Sequence, residues 1–256
     1  MKIWRTLVAA IAIQAVAVVA GHAASLEQIK SSGEFRIGTE GTYPPFTYHN
    51  DQGKLVGFDV EIGREIAKRL GVKAKFLEGP WDGLIAGLDA GRYDAVINEV
   101  GITKARQQKY DFSEPYIASK AVLIVRSDND AIKSFDDLKG KSSAQTLTSN
   151  FGKIAESHGA TIVSTNGFDQ SIQLVVNHRA DATINDSLSF LDFKKHKPNA
   201  PVKVVASLPD ATVSGVIVSK GEPKLVAAIN KALEGMKADG TYLKISKKYF
   251  GEDVSK

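Results

Sequence analysis

The chain has 256 residues, enough to bury a sizeable core in one large domain or in two of ordinary size. Its hydrophobic fraction of 43% and charged fraction of 24% are those of an ordinary globular protein, and they argue against extended disorder, a coiled coil or collagen. The net charge of +4 is carried by interspersed residues, so no nucleic-acid or anionic-membrane surface is read from it, and the lack of cysteine excludes disulfides, a thiol nucleophile, cysteine-ligated metals and a lipid-modified cysteine.

The first residues differ in kind from the rest. Lys2 and Arg5 form a short basic start, Leu7 to Ala20 is almost wholly apolar, and Gly21-His22-Ala23 supplies small residues at the positions a signal peptidase reads. Residues 1–23 are therefore expected to be a secretory signal peptide, cut just after Ala23 or Ala24. The apolar run of about fourteen residues falls short of the roughly 20 needed to span a bilayer. The mature chain would carry a charge near +2 and act as a free periplasmic protein.

From there strand-like and helix-like segments alternate. Phe35 to Thr39 reads as a strand, Asp59 to Leu70 as a helix stopped by Gly71, and Val72 to Phe76 as a second strand. Asp82 to Ala90 reads as a short helix and Asp94 to Asn98 as a third, apolar strand. The same grammar restarts after Tyr116, with a strand over Lys120 to Val125, a capped turn over Ser134 to Leu138 and a helix over Ser149 to His158. A strand over Ala160 to Ser164 and a helix over Phe168 to Asn177 follow. Asp181-Ala182-Thr183-Ile184-Asn185-Asp186 then echoes Asp94-Ala95-Val96-Ile97-Asn98-Glu99, each after a helix. This pattern predicts an α/β fold of two similar lobes with mainly parallel sheets. The chain would cross between lobes near Ile117 to Lys120 and Pro209 to Ser214, as a two-stranded hinge. Lobe 1 would comprise residues 24–118 and 212–256, the latter with a strand over Val216 to Val218 and two helices, and lobe 2 residues 119–211. Ligands of such sheets sit in a cleft outside the carboxyl ends of the strands.

Several motifs are more specific. Gly38-Thr39-Glu40-Gly41-Thr42-Tyr43-Pro44-Pro45-Phe46 follows the first strand, and Gly57-Phe58-Asp59-Val60-Glu61 starts the first long helix. Ile102-Thr103-Lys104-Ala105-Arg106 precedes Tyr110-Asp111-Phe112-Ser113-Glu114-Pro115-Tyr116. Asp239-Gly240-Thr241-Tyr242 and Lys248-Tyr249-Phe250-Gly251 close the chain. Together, with spacing intact over nearly the whole mature chain, these resemble the polar amino-acid family of periplasmic binding proteins that serve ABC importers, which have the type II periplasmic-binding-protein fold. The resemblance implies an amino acid as ligand, a transient membrane permease as partner, a monomer, no cofactor and no metal.

It also implies site residues. Arg106 matches the clamp for the α-carboxylate, which a guanidinium binds with two parallel charge-assisted bonds; without the motif it would read as a solvated arginine. Ser149 and Asn150 would present helix N-terminal N–H groups to the same carboxylate, although Ser149 can equally be a plain N-cap. Thr148 would join them, although the family usually has Gly-Thr where this chain has Thr148-Ser149, a departure at the turn itself. Asp186 matches the acceptor of the α-ammonium and could also cap the following helix. Tyr43 and Trp81, and to a lesser degree Phe46, match walls around the ligand side chain, with a core role as the rival. Two positions depart from the pattern: Gly101 stands where a ligand-bonding Ser or Thr is usual, and Glu99 where many relatives have a small residue.

Glu40, Glu99 and Asp186 would place three acids near one pocket, which suits a ligand with a second ammonium. The text around Tyr43, Trp81-Asp82-Gly83 and Val96-Ile97-Asn98 looks most like cystine-binding members, making cystine the first expectation and a basic amino acid the second. No phosphate loop, dinucleotide fingerprint or hydrolase motif occurs, and the five histidines are scattered. The expectation is a binding protein rather than an enzyme. The alternatives are a secreted dehydratase or lyase on the same fold with Glu99 as proton donor, marked by an acid kept protonated by burial, and a sensory protein that presents its ligand to a receptor.

Overall fold

A computed structural model describes residues 25–255. The proposed signal peptide lies outside them, and no helix among the described residues is long and apolar enough to cross a membrane. In chain order the elements are α1 (Leu26–Ser32), β1 (Glu34–Thr39), β2 (Thr42–Tyr43), β3 (Thr47–His49), β4 (Leu55–Val56), α2 (Phe58–Leu70), β5 (Lys73–Glu78), α3 (Trp81–Asp89), β6 (Ala95–Val96), α4 (Lys104–Lys109), β7 (Tyr110–Phe112) and β8 (Ile117–Ser119). There follow β9 (Ala121–Arg126), β10 (Ser142–Gln145), α5 (Asn150–Ser157), β11 (Thr161–Ser164), α6 (Phe168–Val176), β12 (Ala182–Asp186), α7 (Ser187–His196), β13 (Val202–Ser207), β14 (Thr212–Ser214), β15 (Ile217–Ser219), α8 (Pro223–Ala238) and α9 (Thr241–Phe250).

Two five-stranded sheets carry the architecture, in the orders β5-β1-β6-β15-β7 and β11-β10-β12-β9-β13. Each is mixed: the first three strands run parallel, and the last two pair antiparallel. Helices α2 and α3 make the crossovers in the first sheet, α5 and α6 in the second, as parallel neighbours require. The two sheets share this arrangement, so β6 and β12, which hold the internal echo, are each the middle strand. The first residue of the echo does the same job in both sheets. Asp94 accepts Arg36 N at 2.7 Å from β1, and Asp181 accepts Ser142 N at 2.7 Å from β10, tying each middle strand to its neighbour.

Helix α2 shows how local sequence sets the frame. Its N-cap Gly57 has φ 132°, and a Cβ there would lie 2.2 Å from the Phe46 carbonyl oxygen, so only glycine lets the turn pass. Phe58, Ile62, Ile66 and Leu70 are buried, at the helical spacing that makes one apolar face, and the helix stops at Gly71 in the left-handed region. Leu225, Ile229, Leu233 and Met236 of α8 and Tyr242 and Ile245 of α9 join the same core. A separate cluster around Leu123, Ile184, Leu138 and Phe151 fills one side of the second sheet.

The segments expected to cross between lobes pair with each other: β8 and β14 form a two-stranded antiparallel ribbon, with Thr212 opposite Ser119 and Ser214 opposite Ile117. The third strand is shorter than the sequence pattern suggests, pairing only at Ala95 and Val96. The reason lies just beyond it. Asn98 turns its side chain to Thr39 and Glu40, and Glu99 adopts φ 50°, which lifts the chain out of the sheet.

Candidate ligand-binding cleft

The carboxyl ends of the two middle strands face each other across a pocket of about 460 Å³, its open mouth included. Glu40, Tyr43, Trp81 and Glu99 line it from the side of the first sheet, and Ser149 and Asn150 from the side of the second. Glu40, just past β1, is held by Asn98, whose Nδ2 donates to Glu40 Oε2 at 2.7 Å and whose Oδ1 accepts Glu40 N at 2.7 Å. Tyr43 spans the gap, its hydroxyl donating to Asn185 Oδ1 at 2.7 Å. Trp81 is buried, and its Nε1 has no hydrogen-bond partner among the described residues. A buried donor left open in this way costs free energy that a ligand acceptor can recover.

Ser149 caps α5, accepting Gly152 N at 2.9 Å and donating to the Thr146 carbonyl at 3.1 Å. Asn150 starts the helix, and its side chain lies where a Cβ on Gly101 would touch it at 3.4 Å, an ordinary contact. Gly101 therefore allows a close approach between the two sides without demanding it. Phe46 is fully buried, 5.2 Å from the Tyr43 ring, in the core behind the pocket wall.

Four of the residues singled out from the sequence, Gly101, Arg106, Thr148 and Asp186, stand at the edges rather than in the pocket lining. Arg106 lies with its guanidinium carbon 5.4 Å from the centre of the Trp81 ring. It donates from Nη1 to the Gly101 carbonyl at 2.9 Å and from Nη2 to the Thr148 carbonyl at 3.2 Å. Those bonds leave part of its five-donor fork for another acceptor. Thr148 uses its N–H and hydroxyl on Asp82, each at 2.8 Å. Asp186 is fully buried, accepts Leu188 N at 2.8 Å and Ser189 N at 3.4 Å as the cap of α7, and accepts the Ser119 hydroxyl from the hinge ribbon. Glu99, its counterpart in the echo, accepts the Ser214 hydroxyl at 2.9 Å from the other strand of the ribbon.

These acids dominate the electrostatics. Burial raises the Glu40 carboxyl to about 7 against a lowering by its Asn98 bond, and the charge of Asp82 adds to the rise. Burial lifts Asp186 to about 6, opposed by its bonds from Ser119, Leu188 and Ser189. Asp59, which accepts Tyr116 Oη at 3.0 Å and Glu99 N at 2.6 Å, is raised by burial to about 7. Glu99 goes far above the ordinary carboxylate range, first by burial and then by the charge of Asp186. The site thus concentrates acids around a single guanidinium, and cationic groups placed among them would be held strongly. Among the described residues no group of three or more potential metal ligands is arranged to hold a metal ion.

Gln145, Thr146, Phe151, Gly167, Phe168, Ser171 and Asn185 also line the pocket and were not singled out from the sequence. The echo could have found two of them. It pairs Asn185 with Asn98, and by sheet topology it makes Phe168, which begins α6, the counterpart of Trp81, which begins α3. No motif marked the others.

Residues 35–252 match the family described as bacterial extracellular solute-binding proteins, family 3. The chain is 48% identical over 229 residues to the L-cystine-binding protein TcyA of Bacillus subtilis strain 168, covering 89% of this chain and 85% of that protein. The L-cystine solute receptor of Neisseria gonorrhoeae, solved unliganded and open, is also 48% identical, covering 91% of this chain and 100% of that one, with a TM-score of 0.61. An ancestral arginine-binding protein bound to arginine is 41% identical over 85% of this chain and 98% of its own, yet superposes better, with a TM-score of 0.80. That order, opposite to the identities, agrees with the hydrogen bonds that join the two sides of the cleft here. The fold, the pocket between its two sheets and these likenesses together make the chain a member of the bacterial extracellular solute-binding proteins, family 3.

Proposed function

We propose that this chain is the periplasmic substrate-binding subunit of an amino-acid ABC importer, which captures cystine, or in second place a basic amino acid, by closing two lobes around it. The lobes are residues 24–118 with 212–256, and residues 119–211, hinged at the β8–β14 ribbon. A monomer would deliver the ligand to the permease through a transient encounter. The observation that carries the reading is the excess of acid around one guanidinium: buried Glu99 and Asp186 with partly buried Glu40. A ligand with a second cationic group matches that balance: a basic amino acid has one, and cystine has a second ammonium at its other end together with a second carboxylate, so its first place rests on the likeness to cystine-binding proteins.

Arg106 would take the α-carboxylate together with the N–H groups of Ser149 and Asn150, with Thr148 fixing the loop that presents them. Asp186 would accept the α-ammonium. Glu40 and Glu99 would meet the second ammonium, with Tyr43 and Trp81 walling the stem and Trp81 Nε1 offering its open donor. Gly101 contributes a carbonyl that orients Arg106 rather than a side-chain contact.

Thermal-shift screening of the mature protein tests the ligand class. Cystine, arginine or lysine is expected to stabilise it, by about 2.7 kcal/mol at a hundredfold excess over Kd. Sugars and nucleotides should give no shift, and stabilisation by a sugar alone would overturn the reading. One observation favours a second reading, a dehydratase or lyase using Glu99 as acid, because Glu99 is buried and held toward its protonated form. Incubation with amino acids and chromatography for products separates the two: binding without turnover supports capture.

A further inference from the structure

One rim of the cleft is bridged by a contact that none of the site motifs explains. Asp82, the second residue of α3, projects its carboxylate from the side of the first sheet onto the loop before α5 on the other. It accepts Leu147 N at 3.2 Å, Thr148 N at 2.8 Å and Thr148 Oγ1 at 2.8 Å. The Thr148 carbonyl is in turn taken by Arg106 Nη2. Every polar group of Thr148 is thus satisfied from across the cleft. The next residue, Ser149, caps the helix whose N-terminus faces the pocket.

We propose that Asp82 is a positioning residue, a clasp that fastens the Leu147–Thr148 loop to the Trp81–Arg106 corner and so slows reopening of the closed cleft. The inference rests on the amino-acid capture described above. A carboxylate that accepts two backbone N–H groups and a hydroxyl from one short loop fixes that loop's orientation as well as its distance, and these charge-assisted bonds form only when the two sides meet. They contribute to the closed state and little to the encounter, so their loss belongs in the dissociation rate. At the opposite rim Tyr43 to Asn185 and Ser189 Oγ to the Pro44 carbonyl, at 3.0 Å, join the sides without using a charge. Leu147 and Thr148 are exposed, so water competes with the clasp and its effect stays moderate.

Stopped-flow binding followed by Trp81 fluorescence, with L-cystine and L-arginine as probes, tests this. Asp82→Ala is expected to raise koff roughly tenfold with kon changed by less than about twofold. Asp82→Asn, which keeps one acceptor but loses the charge, should fall between, and Thr148→Val should reproduce part of the loss and add little to it in the Asp82→Ala background. Because the chain has no cysteine, spin labels on Lys109→Cys and Glu156→Cys, at exposed sites on α4 and α5, can report closure directly. At saturating ligand the Asp82→Ala protein should retain a larger long-distance population than the parent. An unchanged koff, a tighter complex, or the same distance distribution would overturn the clasp. Failure of the parent protein to bind either probe would instead overturn the functional reading on which it stands.

Discussion

Replacing Arg106 by alanine is expected to weaken amino-acid binding by about 2–5 kcal/mol, the range seen when one partner of a buried, hydrogen-bonded charge pair is truncated. That is roughly thirtyfold to several thousandfold in Kd. The guanidinium is the cation among the buried acids, it stacks over Trp81, and its Nη2 reaches the Thr148 carbonyl across the cleft. Its removal takes away the carboxylate partner and one of the bonds that join the two sides. Folding should survive, because α4 contributes no buried residue to the core. Arg106→Lys should recover only part of the loss, since an ammonium offers a point charge in place of a fork. Titration calorimetry with far-ultraviolet circular dichroism as the folding control measures both. A variant of normal affinity would contradict the assignment of the clamp.

The second large effect is on pH dependence. Glu40 and Asp59 are each raised to about 7, and Asp186 to about 6. Glu99 is raised too, first by burial and then by the charge of Asp186, and it faces Asp59 and Arg106 as well. In each the folded value exceeds the unfolded one near 4, so between those values the folded chain binds more protons than the unfolded one. Stability from these groups is complete below the unfolded values and is lost as pH rises through the folded ones. The unliganded protein is therefore expected to lose stability from about pH 5 to pH 7.5, by up to about 1.4 kcal/mol per pH unit for each group while it titrates. A ligand that brings ammonium groups among the acids favours their ionised forms, so binding should release protons and flatten the decline. Scanning calorimetry against pH, with and without L-arginine, and titration in buffers of different ionisation enthalpy would show both. An unliganded protein that gains stability over that interval would contradict the argument.

Much of this was legible in the sequence because its signals were local or repeated. Gly57 and Gly71 bound α2, Ser149 caps α5 and Asp186 caps α7, each by chemistry that acts within a few residues. The six-residue echo marked the two middle strands, and with them the acids that end in the hinge. What escaped depends on geometry between distant segments. That Glu99 and Asp186 are each met by a serine of the hinge ribbon, Ser214 and Ser119, follows from how β8 and β14 pair, which no local pattern reveals. The antiparallel halves of both sheets arise in the same way, since strands entering from the hinge have no crossover helix to announce their direction. Asp82 sits in the first turn of α3, where the local sequence shows no partner for it; the opposed loop supplies one.

Small-angle X-ray scattering of the mature protein, free and then saturated with L-cystine or L-arginine, tests capture by closure most directly. A ligand that bridges Arg106 on one side and Ser149 and Asp186 on the other makes both sets of contacts only when the cleft is shut, so it favours the closed population, and a differential affinity of roughly 5.5 kcal/mol would carry that population from 1:99 to 99:1. The radius of gyration is expected to fall on saturation, to the value calculated for the closed arrangement described here. An unchanged radius at proven saturation would contradict capture by closure and leave a rigid pocket in its place.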